Sequence, residues 1–184
     1  LGLGYLKSYL ATLQVTCDVV DGQFIGLALE EVTTRILAQN PPLVGFSIFF
    51  SNVGPALETV RLLRDAGYRG HICLGGHYAT FQYKDLLERN VGVDSIVMGE
   101  GELTLAELLD RVRRGATWQD LPGLALRGSR GEPHLTTARP LIPNLDGLPF
   151  PDRSPYLEYM QAAGIADITS SRGCYARCGF CSVN

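Results

Sequence analysis

The sequence predicts an α/β protein: an open parallel sheet with helices on both faces, followed by a linker and the opening strand of a second unit. Three observations carry this. Short β-branched or apolar runs alternate with amphipathic stretches along the first 115 residues, the pattern of strand–helix–strand units. The run at 43–50 (LVGFSIFF) is apolar at nearly every position, as for a strand covered on both faces. The helix-like stretches stop at Gly or Pro, where the backbone cannot continue a helix.

The elements follow in order. Residues 5–12 have helical spacing, with Leu6, Leu10 and Leu13 on one side. Residues 14–20 (QVTCDVV) are rich in β-branched side chains and predict a strand closed by Asp21-Gly22. Residues 24–39 carry Phe24, Leu27, Ala28, Val32, Ile36 and Leu37 at helical spacing, ahead of Pro41-Pro42. After the strand at 43–50 comes a loop at 51–55, then a helix at 56–65 stopped by Gly67. Residues 71–74 (HICL) predict a strand ending in Gly75-Gly76, and residues 83–89 a short helix. Residues 94–98 (DSIVM) predict a strand ending in Gly99-Glu100-Gly101-Glu102, and 103–114 an amphipathic helix closed by Gly115.

Beyond Gly115 the pattern changes. Residues 124–127 and 134–137 flank a Gly-rich turn and predict a small hairpin. Residues 139–155 hold five of the ten prolines, the composition of an extended linker. Residues 156–161 predict a helical turn, and 166–169 (ADIT) the first strand of the next unit. The expected division is therefore 1–120, 121–160 and 161–184. The chain opens without Met, on a helix with no preceding strand, and stops soon after Cys181. It is expected to be a fragment at both ends, with a further strand upstream of Leu1.

Composition limits the function classes. The net charge is −3, so no basic excess argues for nucleic acid or an anionic membrane. The longest apolar run is too short to span a bilayer, and no signal peptide opens the chain. A reducing cytoplasm is the expected compartment. Cys17 and Cys73 lie in apolar runs and are expected in the core.

The chemistry concentrates in the last stretch, SSRGCYARCGFC. Three of the five cysteines, Cys174, Cys178 and Cys181, are spaced C-x3-C-x2-C. One short loop can wrap several thiolates around a metal or an iron–sulfur cluster. Three thiolates leave one iron of a four-iron cluster open to a substrate or cofactor. The alternatives are a zinc site completed by a distant His and a chance grouping of free thiols. A disulfide fits poorly with an intracellular chain.

This spacing, with Phe180 just before the last cysteine, resembles the signature of the radical S-adenosylmethionine enzymes. The resemblance implies a 4Fe-4S cluster on Cys174, Cys178 and Cys181, with Phe180 beside the adenine of S-adenosylmethionine. It further implies reductive cleavage of S-adenosylmethionine to a 5′-deoxyadenosyl radical, and an electron donor such as flavodoxin or ferredoxin. Residues 161–184 would then be the start of a (β/α) barrel.

Ligands of open parallel sheets sit beyond the carboxyl ends of the strands. The loops there resemble, in order, those of the cobalamin-binding Rossmann-like (flavodoxin-like) domain: Asp21-x-Gln23-x-x-Gly26, then Ser47-x-Phe49 with Ser51 beyond, then Gly75-Gly76-His77, then Gly99-Glu100. Gln23 stands where that family carries a cobalt-ligating His. An amide is a weak cobalt ligand, so the resemblance implies cobalamin with no protein imidazole beneath it. The combination implies a cobalamin-dependent radical enzyme acting on a small-molecule or natural-product substrate, with methyl transfer to an unactivated carbon as the leading reaction. The other readings are a non-methylating cyclase or rearrangement enzyme, a cobalamin-binding module without activity of its own, a degenerate α/β domain that no longer takes cobalamin, and a structural zinc site.

Overall fold

A computed structural model describes residues 1–22, 24–176, 178–179 and 181. The described residues form seven α-helices, two short 3-10 turns and a five-stranded sheet. They divide into two compact units, residues 20–141 and residues 1–19 with 142–184.

The larger unit holds the sheet. Its strands are β1 (Leu43–Ser47), β2 (His71–Gly75), β3 (Ser95–Val97), β4 (Leu124–Arg127) and β5 (Pro133–Leu135), adjacent in that order. β1, β2 and β3 pair in parallel, with Leu43 opposite His71 and Cys73 opposite Ser95. β4 runs antiparallel to β3, and β5 antiparallel to β4. The expected hairpin therefore exists, but it extends the sheet, which is mixed rather than wholly parallel. A tight turn can join β4 and β5 only if they are antiparallel.

The side-chain alternation of the strands builds two core layers. Ile72, Leu74, Ile96 and Ala125 face one layer, with Val60, Leu63, Leu86 and Leu87. These helical residues come from α3 (Val53–Asp65) and α5 (Tyr83–Arg89). Ile36 and Leu37 of α2 (Leu29–Gln39) pack against the same layer. Cys73, Val97, Leu124 and Leu126 face the other layer, which Leu108 of α6 (Glu102–Arg114) completes. Helices thus cover both faces, as the near-continuous apolar strands require.

Four expected elements differ, among them the helix expected at 24–39, which begins only at Leu29. Residues 14–20 form no strand: β propensity favours extended backbone, but a strand also needs a ladder partner, and these residues have none among the described residues. Residues 166–169 are irregular for the same reason. The strand at 43–50 ends at Ser47, and Phe49-Phe50 fall in a turn. There the Asn52 side chain takes the Phe49 N–H (2.7 Å) and donates to the Ser47 carbonyl (3.1 Å), pulling the backbone out of the ladder. A short helix, α4 (His77–Phe81), follows Gly76 where a loop was expected.

The smaller unit contains α1 (Gly2–Thr12), a Pro-rich stretch and α7 (Leu157–Ala163). The Asp152 N–H donates to the Gly4 carbonyl at 3.1 Å, and Lys7 Nζ lies 2.6 Å from Asp152 Oδ2. Among the described residues no helix is long and apolar enough to cross a membrane.

Candidate functional site at the strand carboxyl ends

The parallel strands deliver three loops to one end of the sheet, and backbone and side-chain hydrogen bonds join them. The Ile48 N–H donates to the Gly75 carbonyl at 2.9 Å, so β1 and β2 stay locked past the end of β1. The Gly99 N–H donates to Thr80 Oγ1 at 3.3 Å, tying the loop after β3 to α4. Gly76 sits where these meet. Its φ of +92° lies in the region that favours glycine. A Cβ there would lie 3.0 Å from the Ile48 carbonyl oxygen and 3.4 Å from Ser47 Oγ. Gly75, Gly76 and Ser47 therefore come together at the strand ends, where the Gly75 and Gly76 carbonyls accept the Ile48 and Thr80 N–H groups at 2.9 and 3.1 Å.

The other predicted residues distribute around this point. Ser51, His77 and Gly99 are exposed, and Glu100 is half-buried. Asp21 shapes its own loop: its carboxylate accepts the Phe24 N–H at 3.0 Å and its carbonyl the Ile25 N–H at 3.1 Å. Gly26 closes that loop at a φ of +67°. Gln23 lies outside the described residues.

Sequence reasoning missed three side chains here: Asn52, Phe50 and Tyr78. Asn52 is the clamp described above, and an Asn opening a turn before a helix was the signal for it. Phe50 is 86% exposed and Phe49 50% exposed, and the Phe50 ring lies 6.3 Å from Tyr78 at 54°. The apolar run that overshoots β1 was the signal for Phe50. Exposed aromatic rings near glycines that carry no side chain suit a broad, largely apolar ligand with polar substituents. The strand ends thus fit a corrin with its amide side chains.

The amino ends of the strands carry structural polar groups instead. Arg64 donates to the carbonyls of Gly92, Tyr68 and Gly70 at 2.9 Å each and pairs with Asp94 at 2.6 Å. His71 is buried, with Nε2 2.8 Å from Ser95 Oγ and its ring edge-on to Trp118 at 4.6 Å. Burial pushes the His71 pKa down and the Cys73 thiol up to about 12. Cys73 is a core residue, as expected, whereas Cys17 is only half-buried.

The cysteine loop lies in the smaller unit. Cys174 and Cys178 are exposed and Cys181 is half-buried. The Ala176 N–H donates to Cys174 Sγ at 3.4 Å, and the Cys181 N–H to the Cys178 carbonyl at 3.0 Å. Among the described residues no three His, Cys, Asp or Glu side chains are gathered as a metal-binding group. The donor set nevertheless suits an iron–sulfur cluster in its chemistry: three cysteine sulfurs, soft ligands when deprotonated, on one short loop. Phe180 lies outside the described residues.

Comparison with known proteins bears directly on the strand-end site. The B12-binding domain family matches residues 1–109. The chain belongs to that family. Cobalamin-binding Rossmann-like architecture, expected from the ordered loops, is thereby established for this chain. It is 30% identical over 99% of its length to an uncharacterised methyltransferase of Pyrococcus horikoshii, of which it covers 40%. It is 28% identical over 98% of its length to the anaerobic magnesium-protoporphyrin IX monomethyl ester cyclase of Rubrivivax gelatinosus, of which it covers 34%. The structure of the cobalamin-dependent S-adenosylmethionine radical enzyme OxsB, with aqua-cobalamin and S-adenosylmethionine bound, matches 98% of this chain with a TM-score of 0.84 at 25% identity, covering 25% of OxsB. The chain thus spans well under half the length of the curated relatives it matches.

Proposed function

We propose that this chain is the cobalamin-binding portion, with the cluster loop, of a cobalamin-dependent radical S-adenosylmethionine enzyme. The observation that carries the reading is the coincidence on one chain of a B12-binding domain at residues 1–109 and the C-x3-C-x2-C loop at Cys174, Cys178 and Cys181. The likeness to OxsB over almost the whole chain supports it.

The division proposed is 1–120 for cobalamin, 121–160 for the hairpin and linker, and 161–184 for the opening of the radical domain. In the first part Ser47, Gly75 and Gly76 offer backbone and a hydroxyl to the cofactor. Asp21, Gln23, Gly26, Ser51, His77, Gly99 and Glu100 border it. Cys174, Cys178 and Cys181 hold the 4Fe-4S cluster, and Phe180 lies beside S-adenosylmethionine. When bound, the cluster supplies an electron for reductive cleavage of S-adenosylmethionine, and cobalamin supplies a methyl carrier. The chain's own task is to exclude water beneath the corrin and to leave one iron without a protein ligand.

The reaction proposed is methyl transfer to an unactivated carbon of a small molecule, with a flavodoxin- or ferredoxin-type donor, in the cytoplasm. The methyltransferase among the relatives supports this. The cyclase supports a second reading, a non-methylating radical enzyme. This 184-residue piece is proposed to bind cofactors without completing either reaction.

Titration with hydroxocobalamin, followed by absorbance and gel filtration, tests the first part: co-elution of the corrin is expected, and no retention rejects it. Anaerobic reconstitution with iron and sulfide tests the second. A brown chromophore is expected, and Cys178→Ala should lose it. A colourless zinc-loaded protein would sink the radical reading.

A further inference from the structure

Phe50 is 86% exposed, yet the turn that presents it is fully specified. Asn52 uses both ends of its amide: Oδ1 accepts the Phe49 N–H at 2.7 Å, and Nδ2 donates to the Ser47 carbonyl at 3.1 Å. The Phe49 carbonyl in turn accepts the Asn52 and Val53 N–H groups at 3.2 and 3.1 Å. These bonds anchor the turn to the last residue of β1 and the first of α3. They leave the Phe50 ring no freedom to fold back through the backbone. Tyr78 of α4 meets it at 6.3 Å, one residue past His77, with the Tyr78 body packed against the core. A large ring held outward in this way has lost the hydrophobic gain of burial, which a flat apolar ligand can restore.

We propose that Asn52 is a positioning residue that holds Phe50 beside Tyr78 as an aromatic shelf for the macrocycle of cobalamin. This rests on the cobalamin reading above. The occupant follows from the surroundings on the page. The shelf adjoins Gly75-Gly76, where no side chain blocks approach, and the Ser47 hydroxyl, which suits the polar side chains that ring a corrin. The two rings, tilted by 54° to each other, offer its apolar surface one face and one edge.

The test is hydroxocobalamin titration of the full chain, wild type and the variants Phe50→Ala, Asn52→Ala, the double variant and Asn52→Asp, read as Kd and as induced circular dichroism in the corrin bands. Phe50→Ala and Asn52→Ala should each weaken binding about tenfold, the loss of one aromatic contact, and flatten the induced signal. The double variant should be no weaker than either single by more than about twofold, because Asn52 acts through Phe50. Asn52→Asp keeps the acceptor for the Phe49 N–H and should recover part of the loss. Melting of the ligand-free Phe50→Ala chain should be unchanged, since that ring is exposed. Wild-type affinity in both single variants would overturn the shelf while leaving the cobalamin reading intact. Strictly additive losses would overturn the positioning role. A Phe50→Ala chain that binds cobalamin normally but loses self-association would assign the rings to a protein contact instead. A wild-type chain that retains no cobalamin would remove the reading and the shelf together, an outcome the variants cannot mimic.

Discussion

At the scale of single residues, Gly76 and His71 make opposite ends of the same strand testable. Gly76 combines a φ of +92° and ψ of 174° with backbone where a side chain would stand, so any Cβ meets strain and a carbonyl together. Gly76→Ala should lower the unfolding free energy by about 1–3 kcal/mol and weaken cobalamin binding; urea unfolding and the titration above measure the two effects. An unchanged urea midpoint would refute the strain argument. At the other end, burial lowers the His71 pKa, with Asp94 and Arg64 acting in opposite senses. The unfolded chain, with His near 6.5, therefore binds more protons below that pH than the folded chain does. Stability is full above about pH 6.5 and falls as the pH drops through it toward the lower folded value. Urea midpoints should decline from pH 7.5 to 5.5, and His71→Gln should shrink that decline. Asp152, held down to about 2 chiefly by the Lys7 side chain, titrates below this window and does not confuse it.

Elements explain how far the sequence could be read. Helices α3, α5 and α6 lie where periodic apolar faces and Gly stops place them, because burying one stripe is a local decision written every three or four residues. β2 and β3 were equally legible, being short apolar runs between turn signals. Residues 14–20 show the limit: β-branched chemistry sets the backbone preference, whereas the ladder depends on which segment lies alongside. The end of β1 was illegible for a different reason, since Phe49 and Phe50 look like more strand until the Asn52 side chain outcompetes the ladder for Ser47 and Phe49. At the candidate site, Gly75, Gly76 and Ser47 were expected from the family resemblance and from their place after strands, while the pairing of Phe50 with Tyr78 required the fold to bring a turn and α4 together. The antiparallel addition of β4 was likewise hidden, and it has a side-chain consequence. Arg127 on β4 reaches across to donate to the carbonyls of Leu87 (2.9 Å), Val93 (2.6 Å) and Asn90, closing the end of α5. Burial pushes the Arg127 pKa down, but three acceptors hold the guanidinium in place. Arg127→Met would strand those carbonyls and should cost about 2–3 kcal/mol. Chemical denaturation checks this, and a loss below about 0.5 kcal/mol would show that water replaces the arginine freely.

For the whole molecule, the two core layers and the strand-end site lie in one compact unit, so ligand binding there must register in the unfolding of that unit. The sheet is covered by apolar side chains on both faces, and among the described residues the one buried side-chain nitrogen or oxygen without a hydrogen-bond partner is Thr104 Oγ1, on α6. The two ends of the strands differ: Arg64, Asp94 and Arg127 tie down the amino ends, while the carboxyl ends expose Phe49 and Phe50. Such an arrangement is tied by charged side chains at one end and leaves apolar rings exposed at the other. A ligand that binds only the folded state adds RT ln(1 + [L]/Kd), about 2.7 kcal/mol at a hundredfold excess over Kd. For a chain of this size that is roughly 5–10 °C in melting temperature. Hydroxocobalamin should therefore raise the calorimetric transition of the larger unit progressively with concentration. Amide exchange should slow at Ile48 to Asn52 and at Gly75 to Thr80, and hardly at all around His71 and Arg127. A melting temperature indifferent to cobalamin would count against the strand ends as its site. A rise with protection spread evenly along β2 would point to general stiffening rather than to contact at the carboxyl ends.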